Sequence, residues 1–210
     1  MSGFDWHRYW AELDENQVAA KFALGMAEKL DSFIRWDRVS SFADYGCGPA
    51  TMLLALAQRH PETYFHGFDV SEPVLSRNRL KAEEAKLSNT TFRPASLPSI
   101  EMAESYDVVT CLSTLHYVEQ IEEAVRNLFG VVEEGGCLLF NYPNLYTHWM
   151  YKRDAKQGDD EMRRRFALVL SGRNLITQRK IQALTGSRPR RLHAAIRGNI
   201  YVYLHKTASK

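Results

Sequence analysis

The segment from Phe42 to Thr51 constrains the fold of this chain more than any other part of its sequence. It reads Phe-Ala-Asp-Tyr-Gly-Cys-Gly-Pro-Ala-Thr, which is typical of a β-strand that runs through a glycine turn into a helix. Gly46 and Gly48 have no Cβ, so the backbone can turn tightly and approach a ligand closely. Pro49 suits the first helical position, and the helix N-terminus directs free N–H groups toward the turn. The segment therefore predicts a ligand site at the end of the first strand of an α/β sheet.

Two acids narrow the choice of ligand. Asp44 brings negative charge to the turn, where it would repel a phosphate, so a cation or a zwitterion rich in hydrogen-bond donors fits better. A second strand, Tyr64–Val70, contains Asp69 near its end, 21 residues after Gly48. An acid at this spacing in a βαβ unit binds the two hydroxyls of a ribose. The unit therefore predicts a nucleoside site.

Two nucleoside cofactors meet these requirements, a nicotinamide dinucleotide and S-adenosylmethionine. The dinucleotide fingerprint has a third glycine three residues after the second, and this chain has Thr51 there. Near its end the chain has two strand patterns, Arg191–Ile196 and Ile200–Leu204, around the hairpin signal Gly198-Asn199. Dinucleotide-binding folds usually keep all their strands parallel. Both features favour S-adenosylmethionine.

Five motifs, in their order along residues 40–142, resemble those of the class I S-adenosylmethionine-dependent methyltransferases. They are Asp44-x-Gly46-x-Gly48-x-x-Thr51, Gly67-x-Asp69-x-Ser71, Tyr106-Asp107-Val108-Val109, Leu115-His116-Tyr117 and Glu134-Gly135-Gly136. The resemblance implies an α/β fold: a Rossmann-like, doubly wound, seven-stranded sheet, mostly parallel with a C-terminal antiparallel hairpin, with helices on both faces. It also implies an enzyme that methylates a small-molecule acceptor, using S-adenosyl-L-methionine and releasing S-adenosyl-L-homocysteine.

The resemblance also implies which residues hold the cofactor. Asp44 and the glycine turn would hold the methionine part with its ammonium group, Asp69 the ribose, and the segment 95–97 the adenine. The end of the fourth strand would lie beside the sulfonium, because open α/β sheets bind ligands outside the carboxyl ends of their strands. The complete predicted set is Tyr9, Asp44, Gly46, Cys47, Gly48, Thr51, Asp69, Val70, Ala95, Ser96, Leu97, Cys111, Leu112 and Ser113.

Methyl transfer from a sulfonium depends mainly on alignment of two reactants, because the cofactor carries the reactive group. His116 and Tyr117 directly follow the fourth strand and are the predicted catalytic residues. His116 is the candidate general base, since the ordinary pKa of histidine lies near neutrality. The alternative is a histidine that only hydrogen-bonds the cofactor or the acceptor.

The chain is predicted to form a single methyltransferase domain over residues 1–210, with an N-terminal helical cap at 1–35 and an insertion at 143–176. A long connection at the active end of a sheet is usually a lid or a substrate wall. The aromatic start of the insertion suits stacking on a flat or cationic acceptor. The alternative is a packed helix with a solvated charged face. The predicted substrate wall consists of Tyr142, Tyr146, His148 and Trp149.

Charge is distributed unevenly along the chain. Residues 162–210 contain twelve Lys or Arg and no Asp or Glu, although the net charge of the whole chain is +2. The favoured explanation is attraction between this basic part and the acidic remainder, within the fold or across a dimer. An anionic partner is the alternative, which leaves a nucleic-acid (RNA) methyltransferase as a second hypothesis. A S-adenosylmethionine-binding protein without turnover is the third.

The three cysteines, Cys47, Cys111 and Cys137, lack metal-type spacing, so we expect buried thiols, a reducing compartment and no metal site. No segment has the pattern of a signal peptide or is long and apolar enough for a membrane span. We therefore expect a cytoplasmic monomer or homodimer that methylates O or N of a small acceptor of anionic or aromatic character. Action on nucleic acid or at a membrane is not expected.

Overall fold

The computed structural model describes residues 9, 17–194 and 200–207 of the chain. Its strands are β1 (Ser41–Tyr45), β2 (Tyr64–Asp69), β3 (Thr90–Pro94), β4 (Tyr106–Cys111), β5 (Val132–Asn141), β6 (Arg190–Ala194) and β7 (Ile200–His205). They form one seven-stranded sheet in the order β3-β2-β1-β4-β5-β7-β6. β1 to β5 pair in parallel, and β7 is antiparallel to both β5 and β6. The predicted sheet is confirmed, while the predicted turn Gly198-Asn199 lies outside the described residues.

Helices cover both faces of this sheet, as predicted. They are α1 (Gln17–Phe33), α2 (Thr51–Arg59), α3 (Glu72–Glu84), α4 (Ile121–Gly130), α5 (Leu145–Asp154), α6 (Asp160–Arg165), α7 (Ala167–Ser171) and α8 (Gln178–Thr185). Successive strand residues point to opposite faces, so Phe42 packs with α1, α2 and α3, whereas Ala43 packs with α4 and α8. The two faces thus hold separate hydrophobic clusters.

The first helix after the glycine turn begins later than the sequence predicts. Pro49 belongs to the turn, and α2 starts at Thr51 because Ala50 adopts a left-handed conformation with φ 57°. The N–H of Ala50 donates to the carbonyl of Cys47 at 3.0 Å, which closes the turn. The helix therefore begins two residues later than predicted.

A second correction concerns Gly135-Gly136, where the sequence predicts a tight turn before a fifth strand at Cys137–Tyr142. β5 instead begins at Val132 and runs through both glycines. The N–H of Gly135 donates to the carbonyl of Lys206 at 2.7 Å, and the N–H of Lys206 donates to the carbonyl of Gly136 at 3.0 Å. Pairing with the chain that follows β7 therefore keeps these glycines within the sheet.

The insertion after β5 folds into the three short helices α5, α6 and α7. Asn144 caps α5, since its Oδ1 accepts the N–H groups of Tyr146 and Thr147 at 2.9 and 3.0 Å. A small hydrophobic cluster of Tyr151, Phe166 and Val169 joins these helices and packs against Tyr117. The insertion therefore lies beside the loop that follows β4.

Ion pairs connect the basic C-terminal part with the acidic part of the chain. Lys180 of α8 pairs with Glu122 of α4 at 2.9 Å, and Arg173 pairs with Glu119 at 3.0 Å. These pairs are exposed, so each contributes little stability, but they agree with attraction inside the fold. Among the described residues, no helix has both the length and the apolar character needed to cross a membrane.

Candidate active site

A cavity of about 460 Å³ opens at the carboxyl ends of β1, β2 and β4. Its wall includes the glycine turn after β1, Asp69 at the end of β2 and the loop that begins at Leu112 after β4. Gly46 and Asp69 therefore open onto the same space, as a nucleoside site requires. The volume lies within the range of small-molecule sites.

Most of the predicted cofactor residues line this cavity. They are Tyr9, Asp44, Gly46, Cys47, Gly48, Thr51, Asp69, Val70, Ala95, Ser96, Leu97, Leu112 and Ser113, and the predicted catalytic residue Tyr117 lies with them. Cys111 does not line it. The side chain of Cys111 is fully buried in the cluster that packs against α4, because its place in β4 directs it to that face of the sheet.

The glycine turn is held against two neighbouring segments. The N–H groups of Gly46 and Cys47 both donate to the carbonyl of Phe68 in β2, at 2.7 and 2.9 Å. Gly46 has φ 78°, and a Cβ at this residue would collide with the side chain of Thr114. Position 46 therefore accepts only glycine without a shift of the loop after β4.

Asp69 joins the turn to the start of α3. Its Oδ2 accepts the N–H of Gly48 and its Oδ1 accepts the N–H of Ser71, both at 3.0 Å. Ser71 occupies the N-cap position of α3 but forms no capping bond through its own side chain. Each carboxylate oxygen has further lone pairs, so Asp69 can accept additional hydrogen bonds from a ligand in the cavity.

Asp44 is a buried carboxylate at the cavity wall. Burial raises its pKa to about 7, the hydrogen bond from Thr110 opposes this shift, and the charge of Asp69 adds to it. The Oγ1 of Thr110 donates to Oδ1 of Asp44 at 2.7 Å. A cationic group placed in the cavity beside Asp44 would favour its ionised form.

Two buried asparagines that sequence reasoning missed hold the loops at this end of the sheet. Nδ2 of Asn78 in α3 donates to the carbonyl of Gly48 at 2.7 Å. Oδ1 of Asn141, at the end of β5, accepts the N–H of Ser113 at 2.6 Å, and Ser113 has φ 59°. Asn141 ends an apolar strand and so gave a sequence signal, whereas Asn78 lies among polar residues and gave none.

A third buried asparagine, Asn174, supports the loop that carries the predicted catalytic residues. Its Nδ2 donates to the carbonyls of Leu115, His116 and Val118 at 3.2, 2.9 and 3.3 Å. Asn174 lies near the end of the insertion, more than fifty residues from this loop in sequence. The insertion therefore fixes the loop after β4 as well as covering it.

The two predicted catalytic residues differ in position. His116 is buried and does not line the cavity, and its ring centroid lies 6.4 Å from that of Tyr117 and 6.1 Å from that of Tyr151. Tyr117 lines the cavity. Burial raises the pKa of the Tyr117 phenol, so at neutral pH it stays protonated and can donate a hydrogen bond. Tyr117 therefore cannot serve as a base there.

None of the four predicted substrate-wall residues lines the cavity. Tyr142 is buried in the core cluster beside β5. Tyr146 and Trp149 lie on the outer face of α5, 54% and 56% exposed, with their rings stacked at 6.1 Å. Nδ1 of His148 hydrogen-bonds the carbonyl of Val169 at 2.6 Å. Tyr146 and Trp149 lie three residues apart, so the helical repeat places both on the same exposed face of α5.

Residues outside the predicted set complete the lining. Phe22, Ala23 and Met26 of α1 cover one side, and Thr114 and Val118 lie on the loop after β4. The apolar face of α1 is visible in the sequence, where it indicates packing on the core. Its part in the cavity wall depends on how α1 lies across the end of the sheet.

Comparisons with known proteins show similarity to methyltransferases. Residues 43–138 match a family model described as a methyltransferase domain. The chain is 28% identical over 103 residues to a ubiquinone biosynthesis O-methyltransferase of Acinetobacter baylyi, a match that covers 48% of this chain and 42% of that protein. It is 33% identical over 103 residues to the protein of the same name in Pseudomonas fluorescens, covering 48% and 43%. The match thus spans less than half the length of these curated relatives.

Solved structures share the fold over nearly the whole chain. The magnesium protoporphyrin IX methyltransferase of Synechocystis with bound S-adenosylhomocysteine has a TM-score of 0.65 at 17% identity, over 95% of this chain and 90% of that one. An O-methyltransferase family protein from Burkholderia thailandensis has a TM-score of 0.66 at 16% identity, over 99% of this chain and 64% of that one. At these identities the likeness concerns the fold.

Proposed function

Residues 43–138 form a class I S-adenosylmethionine-dependent methyltransferase domain, and on this premise we propose that the protein transfers a methyl group to an oxygen atom of a small-molecule acceptor. The main support is that the glycine turn and Asp69 face one cavity at the carboxyl ends of neighbouring strands. The similarity to ubiquinone biosynthesis O-methyltransferases favours oxygen over nitrogen as the acceptor atom.

The residues of the cavity fit S-adenosylmethionine. Asp69 has free lone pairs for the ribose hydroxyls, and Asp44 offers a carboxylate for the ammonium group of the methionine part. Gly46 leaves room where a Cβ would close the space between the turn and Thr114. When bound, the cofactor would supply a methyl group on a sulfonium to an acceptor oxygen whose proton has gone to solvent, and S-adenosylhomocysteine would be the product that leaves.

The chain contributes alignment and exclusion of water more than proton transfer. Among the described residues that line the cavity, the carboxylates are Asp44 and Asp69, and both lie at the glycine turn. Tyr117 is a hydrogen-bond donor on the wall, and His116 packs behind it. We therefore assign Tyr117 to orienting the acceptor, and we expect an acceptor hydroxyl acidic enough to react without a strong protein base.

Replacement of Asp69 tests the cofactor site. Asp69→Ala removes the predicted ribose contact and should weaken S-adenosylmethionine binding by about 1–3 kcal/mol, the range for a charge-assisted hydrogen bond. Isothermal titration calorimetry of the wild-type protein should detect S-adenosylmethionine and not NADH. Asp37→Ala, an exposed acid before β1, is the control and should leave the affinity unchanged. Binding of NADH alone would overturn the proposed function, and unchanged affinity in Asp69→Ala would overturn the ribose assignment.

A further inference from the structure

Arg165, at the end of α6, carries a positive charge beside the cavity. Its Nη1 donates to the hydroxyl of Tyr9, while its Nε is buried without a hydrogen-bond partner. Within residues 9, 17–194 and 200–207, no carboxylate pairs with it. Arg163 on the same helix, in contrast, pairs with Asp160 at 2.8 Å. A partly buried guanidinium without a counter-charge is unfavourable, so a negatively charged ligand would stabilise it.

Aromatic rings surround this guanidinium next to the cavity. Its Cζ lies 4.7 Å from the ring centroid of Phe166 and 5.4 Å from that of Tyr9. The ring of Phe166 lies 5.6 Å from that of Tyr117. Tyr9 and Tyr117 both line the cavity, so the guanidinium contacts one wall residue and a ring that packs against the other. Ring faces stabilise a cation but do not neutralise it.

The position of Arg165 also separates it from the carboxylates of the site. Asp44 and Asp69 lie at the glycine turn, whereas Tyr9 lies beside Arg165 and Tyr117 beside Phe166, both residues of the insertion. The charged group beside Tyr9 and Phe166 is therefore a cation, and the surfaces next to it are aromatic rings. A planar ring with a negative substituent matches both properties.

We propose that the acceptor is a small aromatic acid, bound with its ring against Tyr9 and Tyr117 and its carboxylate held by Arg165. This inference rests on the proposed function and names the substrate class of the same cavity. Arg165 is then a specificity-determining residue, which selects anionic acceptors over neutral ones of the same shape. A guanidinium can present two parallel N–H groups to a carboxylate, which lysine cannot.

The test compares acids with their neutral amides. Hydroxybenzoates and hydroxycinnamates, and the corresponding amides, are titrated into protein saturated with S-adenosylhomocysteine, and binding is measured by calorimetry. The wild-type protein should bind at least one acid about tenfold or more tighter than its amide. Arg165→Gln should remove this preference and Arg165→Lys should restore part of it. Arg164→Gln, at the exposed neighbouring arginine, is the matched control and should keep the full preference.

Other outcomes overturn the inference. Equal binding of acid and amide, no binding of any acid, or a preference that survives Arg165→Gln would each contradict it. A large loss of S-adenosylhomocysteine affinity in Arg165→Gln would assign Arg165 to the carboxylate of the cofactor instead. Failure of the proposed function is distinct, because it would appear as a wild-type protein that does not bind S-adenosylhomocysteine at all.

Discussion

Gly46 lies where three segments meet, the end of β1, the carbonyl of Phe68 in β2 and the side chain of Thr114 after β4. Its positive φ disfavours any side chain, and its surroundings leave no space for one. The two constraints can be separated, because Gly186 also has a positive φ, 68°, but has nothing within 4 Å of its Cβ position. A substitution at Gly186 therefore measures backbone strain alone, and one at Gly46 measures strain together with the collision against Thr114.

We predict that Gly46→Ala destabilises the protein more than Gly186→Ala does. Gly186→Ala should cost about 1 kcal/mol from backbone strain alone. Gly46→Ala should cost more, because the loop after β4 must move, and it should also abolish S-adenosylhomocysteine binding. Urea unfolding measures the stability and calorimetry the binding. Equal losses of stability with binding retained would show that Thr114 does not confine the turn.

Asp44 makes stability depend on pH. Its folded-state pKa is about 7, above its ordinary value of 3.8, so between these values the folded protein holds a proton that the unfolded chain has released. Stability from this group is therefore fully present below pH 3.8 and is lost as the pH rises through 7. The slope should approach about 1.4 kcal/mol per pH unit in this window.

The variant Asp44→Asn should remove this contribution, because the amide does not titrate. Free energies of unfolding at pH 5, 6, 7 and 8, measured in urea, should fall less steeply in Asp44→Asn than in the wild-type protein. Asp37→Asn, at an exposed site, should keep the wild-type slope. Identical slopes in all three proteins would mean that Asp44 ionises at its ordinary pKa.

Among the elements, α5 carries predicted substrate-wall residues that do not line the cavity. Tyr146 and Trp149 lie three residues apart and share the outer face, whereas Met150 and Tyr151 are buried. The sequence places aromatic residues on both faces, so its pattern does not indicate which face meets the cavity. The packing of Tyr151 and Phe166 against Tyr117 determines which face of α5 is buried.

The C-terminus of α3 allows a test of how a single helix is terminated. Lys86 follows the helix with φ 57°, and the N–H of Leu87 returns to the carbonyl of Ala82 at 2.9 Å, the pattern of a glycine-type helix end. Lys86→Gly should raise the free energy of unfolding by about 0.5–1 kcal/mol, because glycine adopts this conformation without strain.

The control for this prediction lies within the same helix. Glu83→Gly, at an exposed helical position, should lower stability by about 1 kcal/mol, since glycine is unfavourable inside a helix. Both changes are measured by urea unfolding. A loss of stability in Lys86→Gly as well would contradict the left-handed conformation of residue 86.

In the whole molecule, the cavity is assembled from segments that are far apart in sequence. Met26 of α1, the glycine turn, Asp69 and Val118 lie on different elements, and one cavity joins them. A ligand that contacts all of them should stabilise the domain as a unit, because binding to the folded state alone adds to the free energy of unfolding.

We therefore predict that S-adenosylhomocysteine raises the melting temperature of the protein. At a ligand concentration of about 100 times Kd, the gain should be about 2.7 kcal/mol. Differential scanning fluorimetry should show the shift in the wild-type protein and a smaller one in Asp69→Ala at the same concentration. NADH at that concentration should produce none, and an equal shift with NADH would indicate a general nucleoside site.

The sequence by itself determined the sheet, the glycine turn and the position of Asp69. These features are encoded locally, in strand patterns, in glycines that permit a tight turn, and in a spacing of 21 residues that a βαβ unit fixes geometrically. The family motifs added the strand order with its antiparallel end. These signals can be interpreted without knowledge of side-chain packing, because each depends on the path of the backbone.

Only the tertiary structure decided which side chains face the cavity. Cys111 and Tyr142 lie in the expected segments but point into the core, and His116 is buried beside Tyr151, because packing set the direction of these side chains. Arg165 reaches Tyr9 across 156 residues of sequence. Direction and long-range contact follow from how helices and loops pack on the sheet, and no local pattern in the sequence carries that information.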